Sequence, residues 1–197
     1  MRSGCTASVG DIMKYYTGAG DRGNTTMTAK MGVPKDDPRM EVNGNIDELE
    51  SIVGVAITRL EKHAGVTEAL LEIQNFLHVA SAEIADPSGK AKTRDGNGKT
   101  KIDSEHVKWL EELCDRLGSK TKPVTGFVLV GGSPGGATLH LARAVARRAE
   151  RSLVTLRQKE SVSAELLAFI NRLSSALFVL ARYVNEKDGY REVNPRY

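Results

Sequence analysis

Two stretches of the chain carry residue types suited to gripping phosphate. The first, TGAGDRGNT at 17–25, holds Gly18, Gly20 and Gly23 in a literal G-x-G-x-x-G. The same glycines frame a P-loop, but Asn24-Thr25 follows where Lys-Ser/Thr should stand. A dinucleotide fingerprint needs a buried strand before the glycines and a helix opening on them. Here only DIMKYY precedes, and the Thr-rich, Pro-containing NTTMTAKMGVPKDDP follows. Both named devices fail on context, which leaves either a plain glycine-rich turn or a different phosphate grip. The chemistry for a grip is present: glycines let backbone N–H groups face an anion, and Thr17, Thr25 and Thr26 add hydroxyls. Asp21 could hold magnesium through water, and Lys30, Lys35 and Arg39 bring positive charge.

The second stretch is HLARAVARRAER at 140–151. At ~100° per residue, with Arg143 at zero, Arg147 falls at about 40°, Arg151 at about 80° and Glu150 at about −20°. Arg148 lies at about 140°, away from this stripe. Val145, Ala142, Ala149 and Leu156 take the opposite side. A charged helix face is usually solvated. Three like charges at i, i+4 and i+8 nevertheless repel unless compensated, by Glu150, by a carboxylate from elsewhere or by a polyphosphate. Further along, Asn171, Ser174, Ser175, Phe178 and Arg182 share a helix sector; an Asn amide there could read an adenine edge or simply be exposed. GGSPGGATLH at 131–140 opens a helix, where glycines serve either an anion or a sharp turn. Asp47 is either a first-turn carboxylate favoured by the helix dipole or a partner for a stripe arginine. His63, His78, His106 and His140 are dispersed, with no i,i+4 metal pair.

These residues must be positioned by helices. Residues 13–44 show little periodicity and read as an extended loop. Asn45, with Glu48 three residues on, makes a capping-box start. Ile46, Leu49, Ile52, Val53, Ala56, Ile57 and Leu60 then recur at helical spacing to about His63. Gly65 is expected to break this helix, and a second runs from about Thr67 to Ile84 before Pro87. Residues 87–100 form a polar loop expected to be mobile. Asp103 caps a third helix, SEHVKWLEELCDRLG, and FVLV at 127–130 is a very short strand or an extended strut. A fourth helix follows the glycines at 131–136, and SVSAELLAFINRLSSALFVLARYVNEKDG carries a fifth. Five helices with short connections predict an all-α, antiparallel bundle.

The 197 residues suit one domain, expected over 13–190 behind a loose tail at 1–12. With 40% hydrophobic and 27% charged residues the composition is that of a globular chain. No secretory signal or membrane span is read, so a cytoplasmic location without a membrane partner is expected. A net charge of +3 and few aromatics argue against nucleic acid. Cys5 and Cys114 make no disulfide or metal pattern, in keeping with a reducing compartment.

TGAGDRGNT, DELES, FVLVGG, HLARAVARRAER and FINRLSSALFVLAR occur in the order of the PduO-type ATP:cob(I)alamin adenosyltransferases, which the chain resembles over about residues 15 to 185. The resemblance implies a five-helix bundle with ferritin-like up-down packing, assembled as a homotrimer with active sites between subunits. It implies transfer of the 5′-deoxyadenosyl group of ATP to the cobalt of reduced cobalamin, releasing triphosphate and forming adenosylcobalamin. Carried over, it assigns ATP binding to Thr17, Gly18, Gly20, Asp21, Gly23, Thr25, Lys35, Arg147, Glu150, Arg151 and Asn171. It pairs Arg143 with Asp47 across the subunit interface, and sets Phe127 at the corrinoid, displacing the lower axial ligand. Arg147, Phe127, Asp47 and Arg143 form the implied catalytic set. Mg²⁺ is expected to ride on the ATP phosphates without direct protein ligands, and a corrinoid reductase is an expected partner. The chain departs from the family where Gly18 replaces Lys or Arg, Val130 replaces Pro, Glu50 replaces Asn and Ser175 replaces Asp. A trimeric nucleotide-binding regulatory module without transfer activity is the alternative those departures leave.

Overall fold

The structure is a computed structural model that describes residues 15–27, 30–87, 101–124 and 126–196. The tail expected at 1–12 and nearly all of the loop expected at 87–100 lie outside them. Two short strands, β1 (Asn24–Met27) and β2 (Lys30–Pro34), precede five helices: α1 (Pro38–Ile57), α2 (Ala64–Ala85), α3 (Ser104–Gly118), α4 (Pro134–Arg157) and α5 (Ala164–Lys187).

The strands correct the reading of 13–44 as an extended loop. β1 pairs antiparallel with β2, with Asn24 opposite Pro34 and Thr25 opposite Val33. Within the pair only Met27 and Val33 have buried side chains among those described, so the hairpin lacks the period-two apolar alternation that announces strands.

α1 also begins well before Asn45. Asp37 is its N-cap, the carboxylate accepting from the Arg39 N–H at 2.8 Å. Pro38 stands at the first helical position, where its missing N–H costs nothing. Weak helix formers at Asn43, Gly44 and Asn45 disguise this turn in the sequence, yet Val42 is fully buried and holds it to the core. Asn45 is therefore a buried helix-interior residue, and Asp47 is an exposed one. The dipole reading of Asp47 falls with the boundary. α1 ends at Ile57, and Gly65 lies in the first turn of α2, where it interrupts nothing. Asp103 caps α3 as expected, with His106 completing the box. Residues 127–130 form an extended strut outside any sheet; the Leu129 N–H donates to the Val193 carbonyl at 2.7 Å.

Side-chain contacts give the helix directions. Arg39, at the start of α1, pairs with Glu160 beyond the end of α4 and donates to the Ile84 carbonyl at the end of α2. α1 therefore runs opposite to both. Asn185, near the end of α5, meets Ser133 at the start of α4, so these two are antiparallel. α3 runs with α5, since Arg172 bonds Glu111 midway and Glu186 accepts from the Lys122 N–H beyond the end of α3. The directions alternate along the chain, an up-down arrangement in which α4 lies between α1 and α5. Ile46, Leu49, Ile73, Leu139, Leu153, Phe169 and Ile170 are fully buried in the common core. Phe76 closes it edge-on against His106, Trp109 and Phe169, with ring centroids 4.7, 5.2 and 6.1 Å away. α5 is long and apolar enough to cross a bilayer, with a mean hydropathy of 1.5 over 18 residues. Its Leu173, Leu177, Leu180 and Val184 are instead fully buried in the core of the bundle. Desolvation by packing raises the pKa of Cys114 on α3 above the ordinary thiol value, with Asp115 adding to it.

Candidate functional site

The glycine loop is two successive turns. The Asp21 N–H donates to the Gly18 carbonyl and the Gly23 N–H to that of Gly20, both at 3.2 Å. Gly18 (φ +70°) and Gly23 (φ +80°) occupy the left-handed region, which L-residues with a Cβ enter at a cost. Thr17 accepts from the Ala19 N–H at 3.3 Å. Lys35 joins the loop from beyond β2: its N–H donates to the Gly23 carbonyl at 2.8 Å. Its ammonium lies over Gly20, where an added Cβ would stand 3.1 Å from Nζ. Thr17, Gly18, Asp21, Gly23 and Lys35 are exposed, while Thr25 is half-buried on β1. The structure thus brings together the loop and the lysine that the sequence suggested, as an open glycine turn with the Lys35 ammonium over Gly20 and Arg22 within the loop.

On α4 the stripe divides by burial. Arg147 and Arg151 are exposed, while Arg143 and Glu150 are half-buried. Glu150 accepts from the Asn171 amide at 2.8 Å, and Asn171 accepts in turn from Arg172 at 2.8 Å. Arg151 donates to the Arg147 carbonyl at 3.0 Å. Among the described residues the Arg147 guanidinium has no hydrogen-bond or ion-pair partner. Arg143 lies 6.0 Å from the Phe178 ring centroid, and its Nε is buried without a partner. No bond joins it to Asp47 within the chain. Nor, among the described residues, does any hydrogen bond or ion pair join the glycine loop to the stripe. One copy of the chain therefore displays two halves of a polar surface and leaves three arginines weakly compensated.

Phe127 is 81% exposed on the strut. The strut is held from behind: Asn194 donates to the Phe127 carbonyl at 3.1 Å, and Asn185 to that of Gly131 at 2.8 Å. Asn185 also accepts from the Ser133 N–H at 2.9 Å. A Cβ on Gly132 or Gly136 would overlap the Asn185 carboxamide, and one on Gly135 would meet Leu60. Gly132 is moreover at φ +111°. The glycines of GGSPGG thus serve close packing at the sharp start of α4, which Ser133 caps by accepting from the Gly136 N–H at 3.2 Å. Asp188, beside this junction, is partly buried, which alone would raise its pKa; hydrogen bonds from Ser133 and His63 bring it below the usual carboxylate value.

The supporting roles of three residues are not legible in the sequence. Arg148, off the stripe, donates from Nε to Asn45 Oδ1 at 2.7 Å and pairs with Glu48, fastening α4 to α1. Asn185 gives no motif signal, because its partners are backbone groups some fifty positions away in the chain. Arg182 pairs with Glu192 and donates to the Lys122 carbonyl at 2.8 Å, tying the C-terminal segment to the approach of the strut. The hydrogen bond to Glu192 raises the Arg182 pKa, and the same bond lowers that of Glu192. Among the described residues no group of three His, Cys, Asp or Glu side chains converges as a metal cage.

The chain matches the cobalamin adenosyltransferase family over residues 15–184. It is 34% identical over 181 residues to a corrinoid adenosyltransferase of Bacillus subtilis, covering 92% of this chain and 91% of that one. It is 38% identical to the human corrinoid adenosyltransferase MMAB, covering 92% of this chain and 72% of the human one. The fold superposes on a variant PduO-type ATP:corrinoid adenosyltransferase from Lactobacillus reuteri complexed with cobalamin and ATP. The TM-score there is 0.83 at 34% identity, over 93% of this chain and 97% of that one. A family match across most of the chain, relatives of nearly equal length and the same helical fold lead to one statement: the chain belongs to the corrinoid adenosyltransferases.

Proposed function

We propose that the protein transfers the 5′-deoxyadenosyl group of ATP to the cobalt of reduced cobalamin, releasing triphosphate. The observation that carries this most directly is the division of the site. A glycine turn under Lys35 and an arginine face at Arg147 and Arg151 are each suited to an anion, and Phe127 stands bare on a pinned strut. In this reading a homotrimer unites the halves: one subunit's loop meets another's α4, and Asp47 pairs with Arg143 across the interface. The unpartnered Arg143 Nε and the exposed Asp47 support such a pairing.

The residue roles follow from the chemistry. Cobalt(I) is itself a strong nucleophile, so the protein needs no nucleophilic side chain; it orients and polarises. Attack at C5′ of ATP sends negative charge onto the departing triphosphate. The loop N–H groups of Gly18 and Gly20, with Thr17, Thr25 and Lys35, hold the phosphates on the turn that Gly23 closes, and Arg147 and Arg151 stabilise the charge as it grows. Asn171, oriented by Glu150, fits the adenine side. Mg²⁺ would ride on the ATP phosphates, and Asp21 would reach it through water. Phe127 offers an apolar face that excludes the lower axial ligand of cob(II)alamin, easing a reduction supplied by a separate reductase. A cytoplasmic setting is proposed with it, supported by the burial of the α5 apolar face inside the bundle.

The direct test is incubation with ATP, Mg²⁺ and chemically reduced cob(I)alamin, following the cobalt–carbon product by its absorption spectrum. Formation of adenosylcobalamin with stoichiometric triphosphate is expected. ATP binding without product would instead mark a regulatory module of the same fold.

A further inference from the structure

Behind the strut lies a cavity of about 320 Å³, walled by Val128, Leu129 and Val130 on one side and Tyr190 and Val193 on the other, with His140 at its base. His140 is only 5% exposed, and its Nδ1 is buried with no hydrogen-bond partner. Two of the surrounding polar groups are spoken for, while Arg191, also on the lining, is exposed. Asn185 is committed to Ser133 and Gly131, and Glu192 to Arg182. The ring is tilted on Phe178, centroids 6.0 Å apart. A buried polar atom without a partner costs about 1–3 kcal/mol; the chain leaves His140 Nδ1 unsatisfied, and the same ring borders the cavity.

We infer that this cavity receives a peripheral carboxamide of the corrinoid, and that His140 hydrogen-bonds it. The inference rests on the proposed function, because it takes the corrinoid to lie at Phe127 on the same strut. A carboxamide fits for physical reasons. Its oxygen accepts and its nitrogen donates, so a neutral imidazole of either tautomer can pair with it. Burial, followed by the neighbouring Arg143, holds the His140 pKa below its ordinary value, which keeps the ring neutral and ready for a neutral partner. The corrin ring carries several such amides on its rim, and a pocket of this size takes one short amide arm. His140 thereby becomes a residue that reads the corrinoid, distinct from those that hold ATP.

The test compares wild type with His140→Phe, which keeps the bulk and removes the nitrogens, and with His140→Asn, which restores a hydrogen-bonding group. For His140→Phe the KM for cob(I)alamin is expected to rise about five- to tenfold, the loss of one hydrogen bond in a dry pocket. The KM for ATP should stay unchanged, and His140→Asn should recover part of the loss. Cobalamin monocarboxylates, each with one peripheral amide hydrolysed, supply the second arm. One isomer should bind wild type about tenfold worse while His140→Phe no longer discriminates against it. Binding is read by spectral titration of the cob(II) forms with ATP present, so it does not depend on turnover. Equal losses for cobalamin and ATP, or discrimination among the isomers that is the same in wild type and His140→Phe, would overturn the assignment. Wild type that binds the corrinoids as expected but makes no adenosylated product would leave the subsite standing and defeat the proposed function.

Discussion

Asn185→Ala tests whether the start of α4 is held as the structure indicates. The substitution removes two hydrogen bonds, from the Ser133 N–H at 2.9 Å and to the Gly131 carbonyl at 2.8 Å. Ser133 is buried, so its N–H is left without a partner. Gly131 is half-exposed, and water can reach its carbonyl. At about 1–3 kcal/mol for each orphaned buried group, with the Gly131 side at the low end, the loss comes to roughly 2–4 kcal/mol. A chain holding about 5–15 kcal/mol in all still folds. For its size the melting temperature should fall by about 2–4 °C per kcal/mol, or roughly 10 °C. Urea unfolding should show a lower midpoint at an unchanged slope. Asn185→Asp is the sharper companion: it keeps the acceptor, loses the donor and sets a buried charge against the Gly131 carbonyl, so it should be no more stable than the alanine variant. Because the strut carries Phe127, both variants should lose turnover from cob(II)alamin before they lose ATP affinity. A stability loss under about 1 kcal/mol with full turnover would show that Asn185 is a bystander.

Arg147→Ala should lower kcat/KM for ATP by about a hundredfold, the loss expected when one donor to a developing charge is removed, and Asn171→Ala, which loses a hydrogen bond on the adenine side, should raise the KM for ATP by about tenfold; near wild-type kinetics in both would remove them from the site. Phe127→Ala should slow turnover from cob(II)alamin while the Kd for ATP, measured calorimetrically, stays within about twofold, since the ring is apolar and stands clear of the phosphate cradle. Glu192→Gln addresses pH. The Glu192 pKa is lowered by Arg182 in the folded chain, so its stabilising effect is present above the unfolded carboxylate value and fades as pH falls through the folded one. Melting curves taken downward from neutral pH should therefore lose stability less steeply on the acid side in the variant; coincident curves would deny the pair a role.

What the sequence made legible has a common character. α3, α4 and α5 are legible because their apolar residues are strongly periodic; Asp103 could be named as the cap of α3, while the Ser133 and Ser163 caps of α4 and α5 emerge only in the structure. The start of α1 was misplaced because Asn45 imitates a cap, and because the tertiary reasons for Asn45, the Arg148 and Ser152 side chains, lie on a helix about a hundred positions away. The hairpin escaped because its few buried residues leave no period. Among the site residues, the loop glycines, Lys35, Arg147, Glu150 and Asn171 could be picked out by type and spacing. Asn185 and His140 could not: one acts on backbone groups and the other on an empty space, and neither leaves a spacing to detect.

The glycine loop shows how far local chemistry can be pushed. Its turns, its left-handed residues and the lysine folded over Gly20 make a cradle that is neither a Rossmann turn nor a Walker loop. An exposed loop with only Lys35 and Arg22 as cations offers little against water for a triphosphate that carries several charges, since surface ion pairs are worth only about 0–1 kcal/mol. The charge it lacks stands on α4, on a face to which nothing in the described chain connects it. Gly18 sharpens the imbalance, because a base at that position would have to enter the left-handed region beside the Asp21 carboxylate, 3.4 Å from its Cβ. In the proposed trimer the loop gains that charge when another copy's arginines close over it. Activity should then fall with dilution below the assembly constant, and Asp47→Arg, which places like charge opposite Arg143, should lower both the assembled fraction in sedimentation and the turnover. A fully active monomer would refute that dependence.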